Sequence, residues 1–288
     1  MVNKEKGTLY VVATPIGNLD DMTLRAVEVL KKVDQIAAED TRHSMPLLKH
    51  YAITKPIISM HEFNERERLF ALLECLEKGE SVALISDAGT PLISDPGFRL
   101  VREAKAHDIK VVPIPGPCAA IAALSAAGLP SDRFVFEGFL PAKNEARQHR
   151  LEKFLHESRT IIFYEAPHRL LETLESMAHV FGKTRQAVVA RELTKLFESI
   201  QTKPLSDLIQ HFKKHEKEQR GEIVILIEGI EEEESETKEV VPEAVLQTLL
   251  AELPMKQAVL LASKITGERK NKLYELALTF AGSKGSDA

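Results

Sequence analysis

The stretch Ser81-Val82-Ala83-Leu84-Ile85-Ser86-Asp87-Ala88-Gly89-Thr90-Pro91-Leu92-Ile93-Ser94-Asp95-Pro96-Gly97 decides the architecture. The run through Ile85 has the apolar pattern of a buried strand, and a helical pattern begins near Phe98. Between them lies a long loop. Its two glycines let backbone approach a ligand closely, and its two prolines stiffen the turn. In an open α/β sheet ligands bind at the carboxyl ends of strands, where this loop sits. It lacks the Lys-Ser/Thr ending of a P-loop, so it is not built for a phosphate.

Short apolar runs alternate with helix-period segments on both sides of this stretch. Upstream, strands are expected at Leu9–Ala13, Ile36–Ala38 and Ile57–Met60. Helices are expected at Leu24–Lys32, near Leu47 and at Arg66–Lys78. Downstream come a strand at Val111–Ile114 and an Ala-rich helix at Ala119–Ala127, closed by Gly128 and Pro130. This alternation predicts an α/β fold with a mostly parallel sheet.

A second series follows. Strands are expected at Phe134–Glu137, Thr160–Tyr164, Ala187–Ala190, Phe197–Gln201 and Ile223–Glu228. Helices are expected at Glu145–His156, at Leu170–Phe181 and up to Lys213. Two successive strands with no helix between them predict a mixed second sheet. Residues 231–239 hold six Glu and one Lys and read as a solvated acidic linker. Beyond it, Pro242–Leu253, Lys256–Ile265 and Arg269–Phe280 read as three short helices of helix-turn-helix type. The expected division is 1–118 and 119–230 for two α/β domains, 231–240 for the linker and 241–288 for a helical extension.

The chain has 288 residues and a net charge of −5. The acidic linker alone accounts for that charge, so the remainder is neutral overall and contains basic patches. Two cysteines, Cys75 and Cys118, show neither metal-ligand spacing nor a disulfide framework, which fits a reducing compartment. The opening residues lack the apolar core of a signal peptide, and no run is long enough to span a bilayer.

Further polar segments stand at strand ends. These are Ala13-Thr14-Pro15-Ile16-Gly17-Asn18, Ala38-Glu39-Asp40-Thr41-Arg42, Pro115-Gly116-Pro117-Cys118-Ala119, Tyr164-Glu165-Ala166-Pro167-His168-Arg169, Ala190-Arg191-Glu192-Leu193-Thr194-Lys195 and Arg220-Gly221-Glu222. In this order they closely resemble the small-subunit rRNA cytidine 2′-O-methyltransferases. That family belongs to the tetrapyrrole-methylase superfamily, the class III methyltransferases that use S-adenosyl-L-methionine (AdoMet). The resemblance runs from Gly7 to about Glu228 and continues into the C-terminal helices. The Glu-Asp-Thr-Arg and Glu-Ala-Pro-His-Arg elements are its most specific parts.

The resemblance implies two α/β domains with AdoMet folded in the cleft between them, a cytoplasmic homodimer, and 16S rRNA in the small ribosomal subunit as partner. It implies cofactor contacts from Ile16, Asp87, Gly89, Thr90, Ile93, Pro117, Cys118, Ala119, Tyr164, Ala190 and Gly221. Gly89-Thr90-Pro91 replaces the superfamily's Gly-Asp-Pro, so Thr90 is expected to make the polar contact. AdoMet is a sulfonium without phosphate, which suits close backbone and small side chains. A ribose hydroxyl gains from a group that takes or orients its proton. Asp40, His61, Glu62 and Glu165 are the candidates, the strand-end carboxylates ahead of His61.

Each of these has a plainer structural alternative. Glu39-Asp40 with Arg42 can be an ion pair capping a helix. His168-Arg169 can cap a helix or pair with Glu165, and Arg191-Glu192 can be an internal salt bridge. For RNA, basic candidates are Arg42, then Arg147 and Arg150 with Arg133, Lys143 and His149 nearby. A second group is Lys256, Lys264, Arg269, Lys270 and Lys272, set against one acid, Glu268. Phe139 and Tyr274 are either base-stacking or core residues. Two rival functions remain: methylation of a tetrapyrrole, and a non-catalytic RNA-binding assembly factor.

Overall fold

The protein's fold was taken from a computed structural model, which describes residues 5–61, 64–230 and 242–283. The candidate Glu62 and the acidic stretch 231–240 lie outside the described residues. The chain divides into two compact units, Met1–Gly229 and Ile230–Ala288.

The first unit opens with five parallel strands: β1 (Thr8–Val12), β2 (Gln35–Ala38), β3 (Ile57–Ser59), β4 (Val82–Ile85) and β5 (Lys110–Ile114). Their order is β3-β2-β4-β1-β5. Between them run α1 (Leu24–Lys32), α2 (Thr41–His50), α3 (Glu65–Glu77) and α4 (Phe98–Ala106). β4 is buried along its whole length, as its unbroken apolar run requires for a sheet covered on both faces. Ala26, Leu30 and Leu48 of α1 and α2 pack on one face with Val12, Ile36 and Ile85. Leu72, Leu76, Leu100 and Ala104 of α3 and α4 pack on the other with Leu9, Val82 and Leu84.

Strand order creates a crevice. The chain leaves β1 toward β2 on one side and leaves β4 toward β5 on the other. Such a switch point is where open α/β sheets take ligands. The loops after β1 and β4 meet there in a two-bond bridge. Thr14 N–H donates to Gly89 O at 2.9 Å, and Gly89 N–H donates to Thr14 O at 3.1 Å.

After α5 (Ala119–Ala126) comes the second sheet, of β6 (Phe134–Phe139), β7 (Thr160–Glu165), β8 (Gln186–Arg191), β9 (Ser199–Pro204) and β10 (Ile223–Ile227). Its order is β6-β7-β10-β8-β9. Only β6 and β7 pair parallel; the other neighbours are antiparallel. The sheet is therefore mixed, as expected from the directly joined β8 and β9. Helices α6 (Asn144–Glu152), α7 (Leu170–Phe181) and α8 (Leu205–Lys214) cover one face through Leu151, Leu174, Met177, Leu208 and Phe212. α5 covers the other face, and Ile16 from the β1 loop joins that cluster. The two sheets of this unit thus share apolar contact at the crevice.

Most expected boundaries shift by a residue or two, and two larger shifts have a visible cause. β9 was expected over Phe197–Gln201 but begins at Ser199, because Leu196 and Phe197 are exposed loop residues rather than strand core. α6 ends at Glu152 instead of His156, where the chain turns toward Phe154.

The second unit contains α9 (Pro242–Glu252), α10 (Met255–Thr266) and α11 (Lys270–Ser283). Leu246, Ala258, Val259, Ala262, Leu273 and Ala277 form its core. Gly267 ends α10 in the left-handed conformation (φ 72°), which glycine adopts without steric cost. No helix of the described residues is long and apolar enough to cross a membrane.

Candidate functional site: a carboxylate-lined cleft

A cleft of about 480 Å³ opens in the first unit, within the ~300–1,000 Å³ of small-molecule sites. Its floor is the loop after β4, from Asp87 to Asp95. That loop holds Leu92 (φ 72°) and Ser94 (φ 64°) in the left-handed region. Such backbone costs free energy and persists where surrounding structure holds it, often at binding sites. Gly89 is also left-handed (φ 80°), and a side chain there would press on Ile16 Cγ2 at 3.3 Å. The opposite wall is Cys118 and Ala119 at the start of α5, Tyr164 from β7, Leu193 after β8, and Gly221–Val224 at the start of β10.

Most of the expected cofactor residues come together here. Ile16, Asp87, Gly89, Thr90, Ile93, Cys118, Ala119, Tyr164 and Gly221 all line the cleft. Ala190 does not. It is buried in the second core, paired in register with Val224, which takes the wall position instead. Pro117 acts through its carbonyl, which accepts the Thr90 hydroxyl at 2.9 Å. Thr90 is therefore a strut between two loops, and its hydroxyl is already engaged within the protein. Tyr164 Oη accepts the Ala120 N–H at 3.2 Å, and burial pushes its phenol pKa up.

The charge on the walls is one-sided. Glu39, Asp87, Asp95, Glu165 and Glu222 line the cleft, and among the described residues no Lys, Arg or His does. Burial, then the nearby Asp95 and Asp87, raise Glu39 to a pKa of about 7. Burial raises Asp95 to about 6, against a hydrogen bond from Ser86. A phosphate would find no cation here. A sulfonium would find close backbone, apolar walls from Ile16, Ile93, Leu193 and Val224, and compensating negative charge. The residues present fit AdoMet.

A recess of about 510 Å³ adjoins the cleft, and Glu39 and Asp87 line both. Asp40, Arg42 and His61 lie in it. Asp40 is the N-cap of α2, accepting the Arg42 N–H at 2.8 Å. Its carboxylate also receives Arg42 Nε at 3.1 Å and Nη2 at 2.7 Å, which lowers its pKa to about 2. That disqualifies Asp40 as a proton acceptor near neutral pH and supports the capping alternative. Glu165 is equally committed. It accepts the Thr173 hydroxyl at 2.5 Å and the Ala166 N–H at 2.8 Å, and pairs with Arg169 at 3.3 Å.

Several RNA candidates need correction. Arg147 is 2% exposed; its guanidinium donates to Ser176 Oγ at 3.0 Å and Asn144 Oδ1 at 3.3 Å. It holds α6 to α7 and cannot meet a phosphate. Arg150 is half-buried against Glu137. Lys272 pairs with Glu268 at 2.6 Å but stays exposed at 62%. Arg42, Lys256, Lys264, Arg269 and Lys270 are exposed. So are Phe139, which lines the cleft edge-on to Tyr164, and Tyr274. Arg191–Glu192 is not a salt bridge: Glu192 pairs with Lys195 at 3.0 Å, and Arg191 donates to Ser199 Oγ and Phe197 O. Sequence reasoning missed Glu39, Asp95 and Glu222 as wall residues. The signal for Glu39 was present, since Asp40 before Thr-Arg is a capping residue and leaves its neighbour to face the site.

Residues 8–209 match the family model of the Tetrapyrrole (Corrin/Porphyrin) Methylases. Residues 236–281 match the RsmI C-terminal HTH domain. The protein named ribosomal RNA small subunit methyltransferase I of Pseudomonas aeruginosa is 58% identical over 278 residues, 96% of this chain and 98% of that one. Its Escherichia coli O157:H7 namesake is 50% identical, covering 97% and 98%. The chain belongs to the ribosomal RNA small subunit methyltransferase I family, within the tetrapyrrole methylases. In fold it is similar to diphthine synthase (TM-score 0.59, 15% identity, 77% of this chain and 90% of that one). It is also similar to a cobalt precorrin-4 methyltransferase (TM-score 0.55, 16% identity, 77% and 94%). Membership in this family accounts for the pairing of a parallel and a mixed sheet around one cleft.

Proposed function

We propose that the protein transfers a methyl group from AdoMet to the ribose 2′-oxygen of a cytidine in small-subunit rRNA. The observation that carries this reading is the cleft wall of five carboxylates and no base, in a chain of this family. It favours a cationic donor over a phosphate-bearing one. Bound AdoMet supplies an electrophilic methyl whose leaving group is a neutral thioether, so no acid is needed. Gly89 and Gly221 admit close backbone approach, and Ile16, Ile93, Leu193 and Val224 exclude water. The exposed basic residues Lys256, Lys264, Arg269 and Lys270 support RNA engagement by the C-terminal helices, with Arg42 beside the recess.

A ribosomal substrate supports a cytoplasmic location. The exposed apolar side chains of Leu196 and Phe197 support a homodimer. Incubation with labelled AdoMet and purified small subunits tests the reading. Label in a cytidine ribose is expected. Label entering only an added tetrapyrrole, or subunit binding without transfer, would overturn it.

A further inference from the structure

The donor cleft and the adjoining recess meet at Glu39 and Asp87. These two side chains therefore stand between the recess and the cleft. The recess carries Arg42, an exposed cation paired with Asp40 at 2.7 Å, while the junction itself is acidic. A nucleotide has this polarity, with an anionic phosphate and a hydroxyl that must lose its proton.

Five carboxylates line the cleft: Glu165 and Glu222 are paired with cations, Asp87 also lies 3.9 Å from His43, and Asp95 lies away from the junction. Asp87 accepts the Asp40 N–H at 3.0 Å, and Asp95 is bonded to Ser86. Glu165 is held by Thr173, Ala166 and Arg169, and Glu222 by Lys195 at 3.2 Å. Among the described residues, Glu39 receives the backbone N–H of Asp87 and pairs with no cation. Its remaining lone pairs are open to a ligand. We propose that Glu39 accepts the proton of the acceptor hydroxyl at the junction of cleft and recess. The proposal rests on the methyl-transfer reading.

In the step, the hydroxyl oxygen bonds to the methyl carbon as the carbon–sulfur bond breaks. The electron pair of that bond leaves on sulfur as a neutral thioether. The hydroxyl proton passes to the Glu39 carboxylate and then to solvent. The titration of Glu39 is set by burial, by Asp95 and Asp87 on the β4 loop and by Asp40 beside it, while Arg42 and His61 line the recess with it. Glu165 and Tyr164 face it across the cleft from β7. Burial and the neighbouring carboxylates bring Glu39 to about 7, where a base is both available and effective.

Single-turnover transfer by the full chain, followed from pH 5.5 to 8.5, tests this together with isotope-labelled carboxyl NMR. The wild-type rate is expected to rise about tenfold per pH unit below neutrality and level off above it. Glu39→Gln should lose about 10²–10³-fold and the pH limb with it. Glu39→Asp should keep the limb at a reduced rate. Affinity for the thioether product, by calorimetry, should stay within about threefold in both. One Glu carboxyl resonance with a midpoint near neutrality should vanish in Glu39→Gln. A Glu39→Gln enzyme that keeps the wild-type limb, or a resonance that survives, would overturn the role of Glu39 and leave the transfer reading intact. Wild-type protein that transfers no methyl to small subunits would overturn the reading beneath it.

Discussion

Adjacent carboxylates at the end of β2 take opposite roles. Asp40 turns outward to cap α2 and is held ionised by Arg42, whereas Glu39 faces a shared acidic wall and is held near neutrality. The sequence shows both residues but not which way each points. Capping chemistry resolves it, because an Asp two residues before an Arg amide at a helix start has a backbone donor within reach. Thr90 shows the same limit. Loop composition marks it as a site residue, yet its hydroxyl braces Pro117 rather than awaiting a ligand. Thr90→Arg is expected to thrust a cation among the wall carboxylates and fill the cleft. Calorimetry should find AdoMet binding weakened at least about 100-fold, roughly 2.7 kcal/mol. Near-normal affinity would show that the donor binds elsewhere.

At the scale of elements, helices with strong apolar periodicity were the most legible. α1 and α7 begin and end where periodicity places them, α1 with Thr23 Oγ1 accepting the Ala26 N–H at 3.2 Å. Strand edges were less so, because exposed Leu196 and Phe197 imitate a strand start. Arg147 was misread for a physical reason: periodicity treats a charge as outward-facing, and nothing local announces a buried guanidinium with four partners on α6, α7 and the loop before them. Those partners are Ser176, Asn144, Ala142 O and, at 3.5 Å, Glu172. Arg147→Ala should cost about 2–4 kcal/mol by leaving a cavity and unpaired polar groups. Denaturant unfolding checks this. Undiminished stability with weakened RNA binding would restore the surface role.

For the whole molecule, charge is distributed by task. The stretch 231–239 carries the net negative charge, the cleft is acidic, and the C-terminal helices expose Lys256, Lys264, Arg269 and Lys270. Composition alone, at −5, hides this division. The helical unit has its own small core, and the α/β unit has its own four apolar clusters. Lys256→Glu with Lys270→Glu should therefore leave AdoMet affinity within about twofold. Subunit affinity should fall at least tenfold, and the slope of log affinity against log salt should decrease by about 1–2. Filter binding at several salt concentrations checks this. An unchanged slope would remove the phosphate-contact role of these lysines. The central claim is chemical, and mass mapping of small-subunit rRNA from cells with and without this protein tests it most directly. The account predicts one cytidine ribose methyl present only when the protein is present. Identical methylation in both, or a lost methyl that maps to a base, would contradict it.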